Sequence, residues 1–308
     1  MTHNAFDRLA TEQVNPKTKN IDTLKVRQIL QIINNEDRTV AHAVATQLPV
    51  IEKAVHLLTQ ALAQGNRALI VGAGTSGRLG VMEAAECPPT FHTKPWQIQA
   101  VMAGARQAVF RAQEGAEDNA AEGQKAMRRV SKGDVVIGIA ASGVTPFVLA
   151  ALKTAKKKGC SVVLITCNAS LSPSRPLALL PSFLIIAPRT GPEVIAGSTR
   201  LKAATATKMI LNMITTASMI HLGKVYGNRM VDLEIKSNKL KERAGRLVGE
   251  IAGIARPAAQ RYLRLARGRV KIAIVMARRD VNYAQALRLL KKHRGFLRPI
   301  LKERFSDE

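Results

Sequence analysis

Short, almost wholly apolar segments alternate with helical patterns through the middle of this chain, and this alternation constrains the fold more than any other feature. Strands that are apolar on both faces are typical of a parallel sheet covered by helices on both sides. The sequence therefore predicts an α/β fold, with a parallel sheet flanked by helices. The predicted strands are residues 68–71, 98–102, 135–140, 162–165 and 183–186.

Helical periodicity dominates before the first of these strands. Residues 1–20 are predicted to form an irregular arm, followed by helices at residues 21–33 and 49–63. Asn34 and Asn35 are predicted to end the first helix.

Helical patterns also follow the last strand. One long helix is expected at residues 202–222, and the pattern after about residue 235 is helical throughout, with breaks near residues 253–257, 280 and 295. We therefore expect three parts, which are N-terminal helices at 1–57, a sheet domain at 58–225 and a small helical C-terminal domain at 226–308.

The charge of the chain is its most unusual compositional property. Lys and Arg total 47 against 22 Asp and Glu, a formal net charge of +25 at pH 7. Residues 236–308 hold 20 Lys and Arg against 6 Asp and Glu, a net charge of +14. Between residues 261 and 269 the arginines recur about every three positions, as on one helix face, and a solvated face is favoured over a polyanion patch. Nucleic acid is a disfavoured partner, because this part has few aromatic side chains for stacking.

Cysteine and histidine usage favours a cytoplasmic protein without a structural zinc site. Cys87, Cys160 and Cys167 form no CxxC pair or disulfide framework, and the six histidines form no HxxxH pair. The longest apolar run, residues 177–188, is too short to span a bilayer, and the first residues lack the apolar core of a signal peptide. We expect reduced thiols and no membrane span.

Two loops rich in glycine and hydroxyl groups, residues 72–78 and 141–146, follow predicted strands that we expect to be neighbours in the sheet. Ligands of open α/β sheets bind beyond the carboxyl ends of the strands, where both loops fall. The first loop matches G-x-G-x-x-G, but no Asp or Glu between Cys87 and Glu114 is available to hold a ribose, so a dinucleotide site is disfavoured. A phosphate monoester fits better, with helix N-capping as the alternative explanation. The natural donors are Thr75, Ser76, Ser142 and Thr145.

Clusters of acids near these loops are candidates for proton transfer, since acids are scarce in this chain. Glu83 and Glu86 fall in the helix after the first loop, which the two prolines after Glu86 are predicted to end. Glu114 and Glu117 follow the second strand, and Glu193 follows the last. Each acid alone is more simply a cap or a surface charge, whereas a pair beside a phosphosugar can act as general acid and base.

The motifs resemble those of the N-acetylmuramic acid 6-phosphate etherase family over nearly the whole chain. The ECPPT string at residues 86–90 and the EGAED string at 114–118 are together highly specific. Further matching segments are residues 11–13, 15–16, 21–22, 35–37, 72–80, 138–143, 145–146, 191–193, 197–200, 212–213, 215–219 and 230–232.

The resemblance implies a SIS (sugar isomerase) domain in a homodimer, without metal or organic cofactor. It implies a sugar-phosphate substrate whose lactyl ether is cleaved by elimination and then hydration, giving N-acetylglucosamine 6-phosphate and D-lactate in cell-wall sugar recovery. By motif, Glu86 corresponds to the acid that protonates the leaving oxygen, and Glu117 to the other acid/base. The residues expected to bind the substrate and its phosphate are Thr75, Ser76, Gly77, Ser142, Gly143, Thr145, Glu193 and Ser198.

Some positions depart from the family pattern. The etherases usually carry Arg where this chain has Val144, and Gly where it has Ala105 and Ala204. Loss of the arginine is expected to remove a contact to the phosphate or carboxylate of the substrate. The basic C-terminal part also exceeds what the family leads us to expect.

Other functions are compatible with the same motifs. One is a non-catalytic sugar-phosphate sensor similar to glucokinase regulatory protein, although that protein is much longer. Another is a SIS-type DNA-binding regulator, which would carry an N-terminal helix-turn-helix. An aldose–ketose isomerase is the last, and it would release no lactate.

Overall fold

The structure is a computed structural model that describes residues 9–168, 183–233, 235 and 238–302. The chain divides into two compact units. The first comprises Met1–Ala85 and Trp96–Thr215, and the second comprises Glu86–Pro95 and Thr216–Glu308. The three-part division expected from the sequence stays a prediction.

The first unit contains a five-stranded parallel sheet. The strand order is β2-β1-β3-β4-β5, and all neighbouring pairs are parallel. The predicted strands are thus confirmed, to within one residue at each end. They are β1 Ala68–Gly72, β2 Ile98–Met102, β3 Val135–Ile139, β4 Ser161–Ile165 and β5 Leu184–Ile186.

Helices precede, separate and follow these strands, and the predicted bounds of α2 and α7 match the observed bounds closely. The helices are α1 Val26–Ala45, α2 Leu48–Ala63, α3 Gly74–Phe91, α4 Ala105–Phe110, α5 Ala120–Ala126, α6 Pro146–Lys157 and α7 Lys202–His221. Two of them, α3 and α7, contribute residues to both units.

The described part of the second unit is mainly helical, as predicted. Its helices are α8 Asn238–Ala252, α9 Arg256–Leu265, α10 Val270–Arg279, α11 Tyr283–Lys292 and α12 Leu297–Lys302, and a short antiparallel ribbon pairs β6 Val225–Tyr226 with β7 Arg229–Met230. The predicted breaks are confirmed at Gly253, Asp280 and Gly295, which all have positive φ.

The predicted helix face at residues 261–269 is wrong over its last part. Helix α9 ends at Leu265, and Arg267 and Gly268 have φ values of +55° and +76°. An α-helix cannot contain such residues, so Arg267 and Arg269 lie in a turn before α10.

Two further predicted helix ends are wrong. Helix α1 begins five residues later than predicted and passes through Asn34 and Asn35, because Glu36, Val40 and Val44 extend its buried face. Tertiary packing here outweighs the weak helix-breaking tendency of asparagine.

Helix α3 was expected to end before its two prolines but includes Pro88 and Pro89. They fall in its last turn, which closes with a hydrogen bond from the His92 N–H to the Pro88 carbonyl at 2.9 Å. Each proline removes one i→i−4 hydrogen bond, yet the helix continues to Phe91, so Glu86 lies within the helix and not at its end.

A buried ion pair joins the N-terminal helices of the first unit to α7. The Lys202 Nζ lies 2.7 Å from the Glu36 Oε2, and these residues are only 2% and 4% exposed. Lys17 and Asn15 donate further hydrogen bonds to the same carboxylate, each at 2.8 Å. Removing one partner of a buried pair leaves an uncompensated charge, which typically costs about 3–5 kcal/mol.

Acid should weaken the protein through Glu36. Burial alone would raise the pKa of its carboxyl, but hydrogen bonds from Lys17, Lys202 and Asn15 outweigh burial and lower the pKa to about 2. A carboxyl with a lowered folded-state pKa adds stability above its unfolded pKa, about 4.3, and loses it as the pH falls through the folded value. We expect this group to remove on the order of 3 kcal/mol of unfolding free energy between about pH 5 and pH 2 in urea titrations.

The Glu36→Gln variant should be less stable at neutral pH and should lack this part of the acid dependence. Glu52→Gln is the matched control, because Glu52 lies exposed on α2 and should change the free energy of unfolding by less than about 1 kcal/mol. Parallel acid profiles for the wild type and Glu36→Gln would contradict the assignment.

Candidate functional site

The centre of the sheet contains a topological switch point. Strands β1 and β3 lie side by side although they are not consecutive, and β2 lies on the other side of β1. Ligands of open α/β sheets bind in the crevice beyond the strand ends at such a point. Residues 72–78 follow β1 and residues 141–146 follow β3, so the expected placement of both loops on neighbouring strands is confirmed.

The first loop is very short, because α3 already begins at Gly74. Thr75, Ser76 and Gly77 therefore belong to the first turn of the helix. A Cβ on Gly77 would lie 2.8 Å from the Gly72 carbonyl oxygen and 2.7 Å from the Met102 Cγ. Because Gly77 has no Cβ atom, the start of α3 can approach the end of β1. The N–H groups of the first turn of α3 attract anions at this position.

The second loop is a tight turn with a free hydroxyl. Gly143 has a φ of +74°, and its N–H donates to the Ala140 carbonyl at 2.8 Å. The Ser142 Oγ accepts the Val144 N–H at 3.4 Å. Thr145 precedes α6 but makes no side-chain capping hydrogen bond. Its hydroxyl is therefore not used as a helix cap, which favours the ligand interpretation over capping at this position.

Two buried residues that sequence reasoning missed support the second loop. The Thr166 Oγ1 donates to the Ala141 carbonyl at 3.1 Å, and the Asn168 Nδ2 donates to the Ser142 carbonyl at 3.3 Å. Both follow β4, at the same edge of the sheet as the loops. Polar residues directly after a buried strand were the signal that could have identified them.

A small cavity of about 100 Å³ brings the first loop together with the segment at residues 112–117. Gly74 and Arg78 line one part of it, and Glu114 and Glu117 line another. Its volume equals that of about three water molecules at roughly 30 Å³ each. The cavity therefore suits one functional group of a ligand, such as a phosphate or one edge of a sugar. The Arg78 Nε donates to the Val109 carbonyl at 2.9 Å, which fixes this side chain in the wall.

Glu117 lies in a 3₁₀ helix at Ala116–Asp118, directly after Gly115 with a φ of +73°. Its side chain is exposed and lines the cavity. Within the described residues it has no ion-pair partner. The carboxyl group of Glu117 is therefore accessible to a ligand in the cavity.

The two acids on α3 differ in availability. The Glu83 carboxylate is buried and accepts hydrogen bonds from the Asn212 Nδ2 at 2.7 Å and the Thr215 Oγ1 at 2.5 Å. Glu86 is three residues further along the helix, is exposed and belongs to the second unit. No hydrogen bond or ion pair from the described part of the chain engages the Glu86 side chain. The Glu83 carboxylate is thus occupied by structural hydrogen bonds, whereas the exposed Glu86 carboxyl group is accessible to a ligand.

Glu193 lies at the start of α7 rather than in the cavity. Its two carboxylate oxygens accept the N–H groups of Lys202 and Ala203, each at 2.9 Å. Burial raises the pKa of this carboxyl. Ser198, which is half-buried, lies between Glu193 and α7 and also does not line the cavity. Substrate binding by Glu193 and Ser198 stays a prediction.

The three cysteines are buried thiols that form no disulfide with one another. Burial raises the pKa of Cys160 to about 11 and that of Cys167 to about 12. Over the described ranges, no cluster of His, Cys, Asp and Glu side chains is arranged to hold a metal ion. No helix within those ranges is long and apolar enough to cross a membrane.

Fold and loops together define a SIS-domain protein. The family model for the SIS domain matches residues 114–217, and the model for the glucokinase regulatory protein N-terminal SIS domain matches residues 49–156.

Within that class, the chain belongs to the N-acetylmuramic acid 6-phosphate etherase family. It is 49% identical over 300 residues to the N-acetylmuramic acid 6-phosphate etherase of Geobacillus thermodenitrificans strain NG80-2, covering 96% of this chain and 99% of that protein. The etherase of Salinibacter ruber is 48% identical over 296 residues, covering 95% and 94%. A solved phosphoheptose isomerase from Francisella tularensis is similar with a TM-score of 0.49 and 13% identity, covering 64% of this chain and 100% of that one.

The close approach of α3 to β1 can be tested by adding one methyl group. We expect Gly77→Ala to lower the free energy of unfolding by about 2 kcal/mol, because the new Cβ has no space. Gly74→Ala is the matched control, since its Cβ would meet no atom within 4 Å and only the φ of +54° is strained. It should cost about 1 kcal/mol. Equal costs in urea denaturation would contradict the crowding at Gly77.

Proposed function

We propose that this protein cleaves the lactyl ether of N-acetylmuramic acid 6-phosphate and releases N-acetylglucosamine 6-phosphate and D-lactate. The observation that carries the proposal is family membership over 96% of the chain, with both acidic strings of the family present at residues 86–90 and 114–118. The reaction class is a carbon–oxygen lyase, because the ether bond breaks by elimination.

The chemistry needs two carboxyl groups in opposite protonation states. A base removes the proton from C2, the electron pair forms a C2–C3 double bond, and the lactate oxygen leaves C3 with a proton from an acid. Water then adds its hydroxyl to C3, and C2 regains a proton. We assign the leaving-group acid to Glu86 and the C2 base to Glu117. The exposure of both side chains supports this assignment, as does the commitment of Glu83 to Asn212 and Thr215.

The anionic end of the substrate is proposed to bind at the two loops. The starts of α3 and α6 supply N–H groups, and the hydroxyls of Thr75, Ser76, Ser142 and Thr145 supply donors. The unused hydroxyl of Thr145 supports this arrangement. A net charge of +25 favours the encounter with a substrate that carries both phosphate and carboxylate.

A homodimer in the cytoplasm completes the proposal. Val26 and Leu30 support an assembly, because they lie one turn apart on α1 and are 72% and 60% exposed. Paired apolar side chains of this kind are commonly covered in oligomers.

Release of D-lactate from N-acetylmuramic acid 6-phosphate is the direct test. Glu86→Gln and Glu117→Gln should each lower kcat by about a thousandfold, because each removes one proton-transfer group. Glu114→Gln is the matched control, since Glu114 lines the same cavity as Glu117 but has no assigned step. It should keep kcat within about threefold of the wild type. Absence of D-lactate with the wild type would contradict the proposal and favour a sensor or an isomerase.

Isotopes separate the two steps. In D₂O the sugar product should carry deuterium at C2, and in H₂¹⁸O the heavy oxygen should appear at C3 and not in lactate. Glu86→Gln should retain exchange of the C2 proton, whereas Glu117→Gln should lose it. Exchange lost only in Glu86→Gln would reverse the two roles.

Restoring the usual arginine of the family at position 144 should strengthen substrate binding. Val144 is half-buried in the second loop. A guanidinium there should lower KM by about tenfold through a charged hydrogen bond to the substrate. Val144→Met is the control, because it adds length without charge. A KM for Val144→Arg that is unchanged or higher would show that no anion of the substrate lies within reach.

A further inference from the structure

A second cavity, of about 480 Å³, lies within the helical second unit and has no part in the proposed reaction. Its volume is typical of small-molecule sites, which span roughly 300–1,000 Å³. Among the described residues that line it, Asp232 is the only carboxylate. Five cations line it, which are Lys241, Arg264, Arg267, Arg269 and Lys271.

The single carboxylate is already shared between two lysines. Asp232 Oδ2 lies 2.7 Å from the Lys224 Nζ and 3.2 Å from the Lys271 Nζ. Burial lowers the pKa of Lys271, and the neighbouring charges of Lys224 and Arg269 lower it further, against the attraction of Asp232. The wall of the cavity therefore holds positive charge that Asp232 does not neutralise.

The remaining cations also lack a carboxylate partner among the residues that the structure describes. Lys241 and Arg264 are exposed, and neither has a carboxylate within 4 Å in the described part of the chain. Arg267 stacks on Tyr283, with its guanidinium 5.0 Å from the ring centroid, and the Arg269 Nη1 donates to the Tyr283 hydroxyl at 3.2 Å. These contacts hold two guanidinium groups in place and leave their charge intact.

Backbone donors add to this field. The turn at Arg267 and Gly268 places the first residues of α10, Val270 and Lys271, in the cavity wall. The first turn of α10 contains no acidic residue. Its N–H groups therefore present a positive helix end to the same space.

We propose that this cavity binds a small molecule carrying a diphosphate or two phosphate groups, through residues that the etherase reaction does not use. The negative charge of a single phosphate group would neutralise only part of the positive charge of the five cations. The forked N–H donors of arginine bind phosphate oxygens well. A concave site of this size favours a small ligand over nucleic acid.

Calorimetric titration of the full chain with inorganic pyrophosphate tests the site, with ADP and fructose 1,6-bisphosphate as larger probes. We expect saturable binding that Lys241→Gln and Arg264→Gln each weaken by about tenfold. Arg261→Gln is the matched control, because Arg261 lies on α9 outside the cavity wall and removes the same charge. It should weaken binding by less than about twofold.

The two proposals fail in different ways. Lys241→Gln and Arg264→Gln should release D-lactate at the wild-type rate, and a Ser142→Ala, Thr145→Val double variant should bind pyrophosphate as the wild type does. Lack of saturable binding, or equal weakening by all three charge variants, would overturn the cavity proposal. Loss of binding in the Ser142, Thr145 double variant would assign the anion to the loops and would also overturn the cavity proposal.

Displacement of pyrophosphate by a short DNA duplex, with the same dependence on Lys241 and Arg264, would identify a nucleic-acid surface instead.

Discussion

The buried ion pair between Glu36 and Lys202 is the interaction on which the first unit depends most. Asn15 donates both to the Glu36 carboxylate and to the Pro192 carbonyl, the latter at 3.3 Å. The start of α7 is held from its other side by Glu193. The N-terminal arm, α1 and the segment before α7 therefore meet at one charged cluster, and each segment supplies a group that the others need.

This cluster reaches the candidate site through α7. Further along that helix, Asn212 and Thr215 hold the Glu83 carboxylate of α3, and Lys208 donates to the Asn212 side chain. Helix α3 begins at the first loop. The ion pair thus fixes α7, α7 fixes α3, and α3 presents its first turn at the switch point of the sheet. A pair of apolar side chains would bury similar volume, but it would not require donors from separate segments to converge on one carboxylate.

Sequence alone predicted the strands, the two loops and the placement of the loops on adjacent strands, because these depend on burial and on local glycine chemistry. It did not predict the supporting residues, since Glu36 and Lys202 are 166 positions apart and each alone resembles a surface charge. Thr166 and Asn168 carry a local signal, since both directly follow a buried strand, but their partners Ala141 and Ser142 lie 25 and 26 positions earlier in the chain. The structure also gives a physical reason for one family preference. Ala105 has a φ of +55°, a left-handed conformation that glycine adopts at lower cost.

The excess positive charge has two separate effects, a long-range field around the chain and a local cluster of cations at one cavity. A net charge of +25 acts on an approaching substrate from a distance, but salt screens such a field beyond about 8 Å at physiological ionic strength. It therefore needs no particular arrangement of side chains. The arginines at positions 264, 267 and 269 were expected to be spread along a helix face, and the turn at Gly268 instead gathers them around one cavity. Cations that line one cavity repel one another unless an anion lies between them, so their convergence favours a bound ligand over a diffuse field.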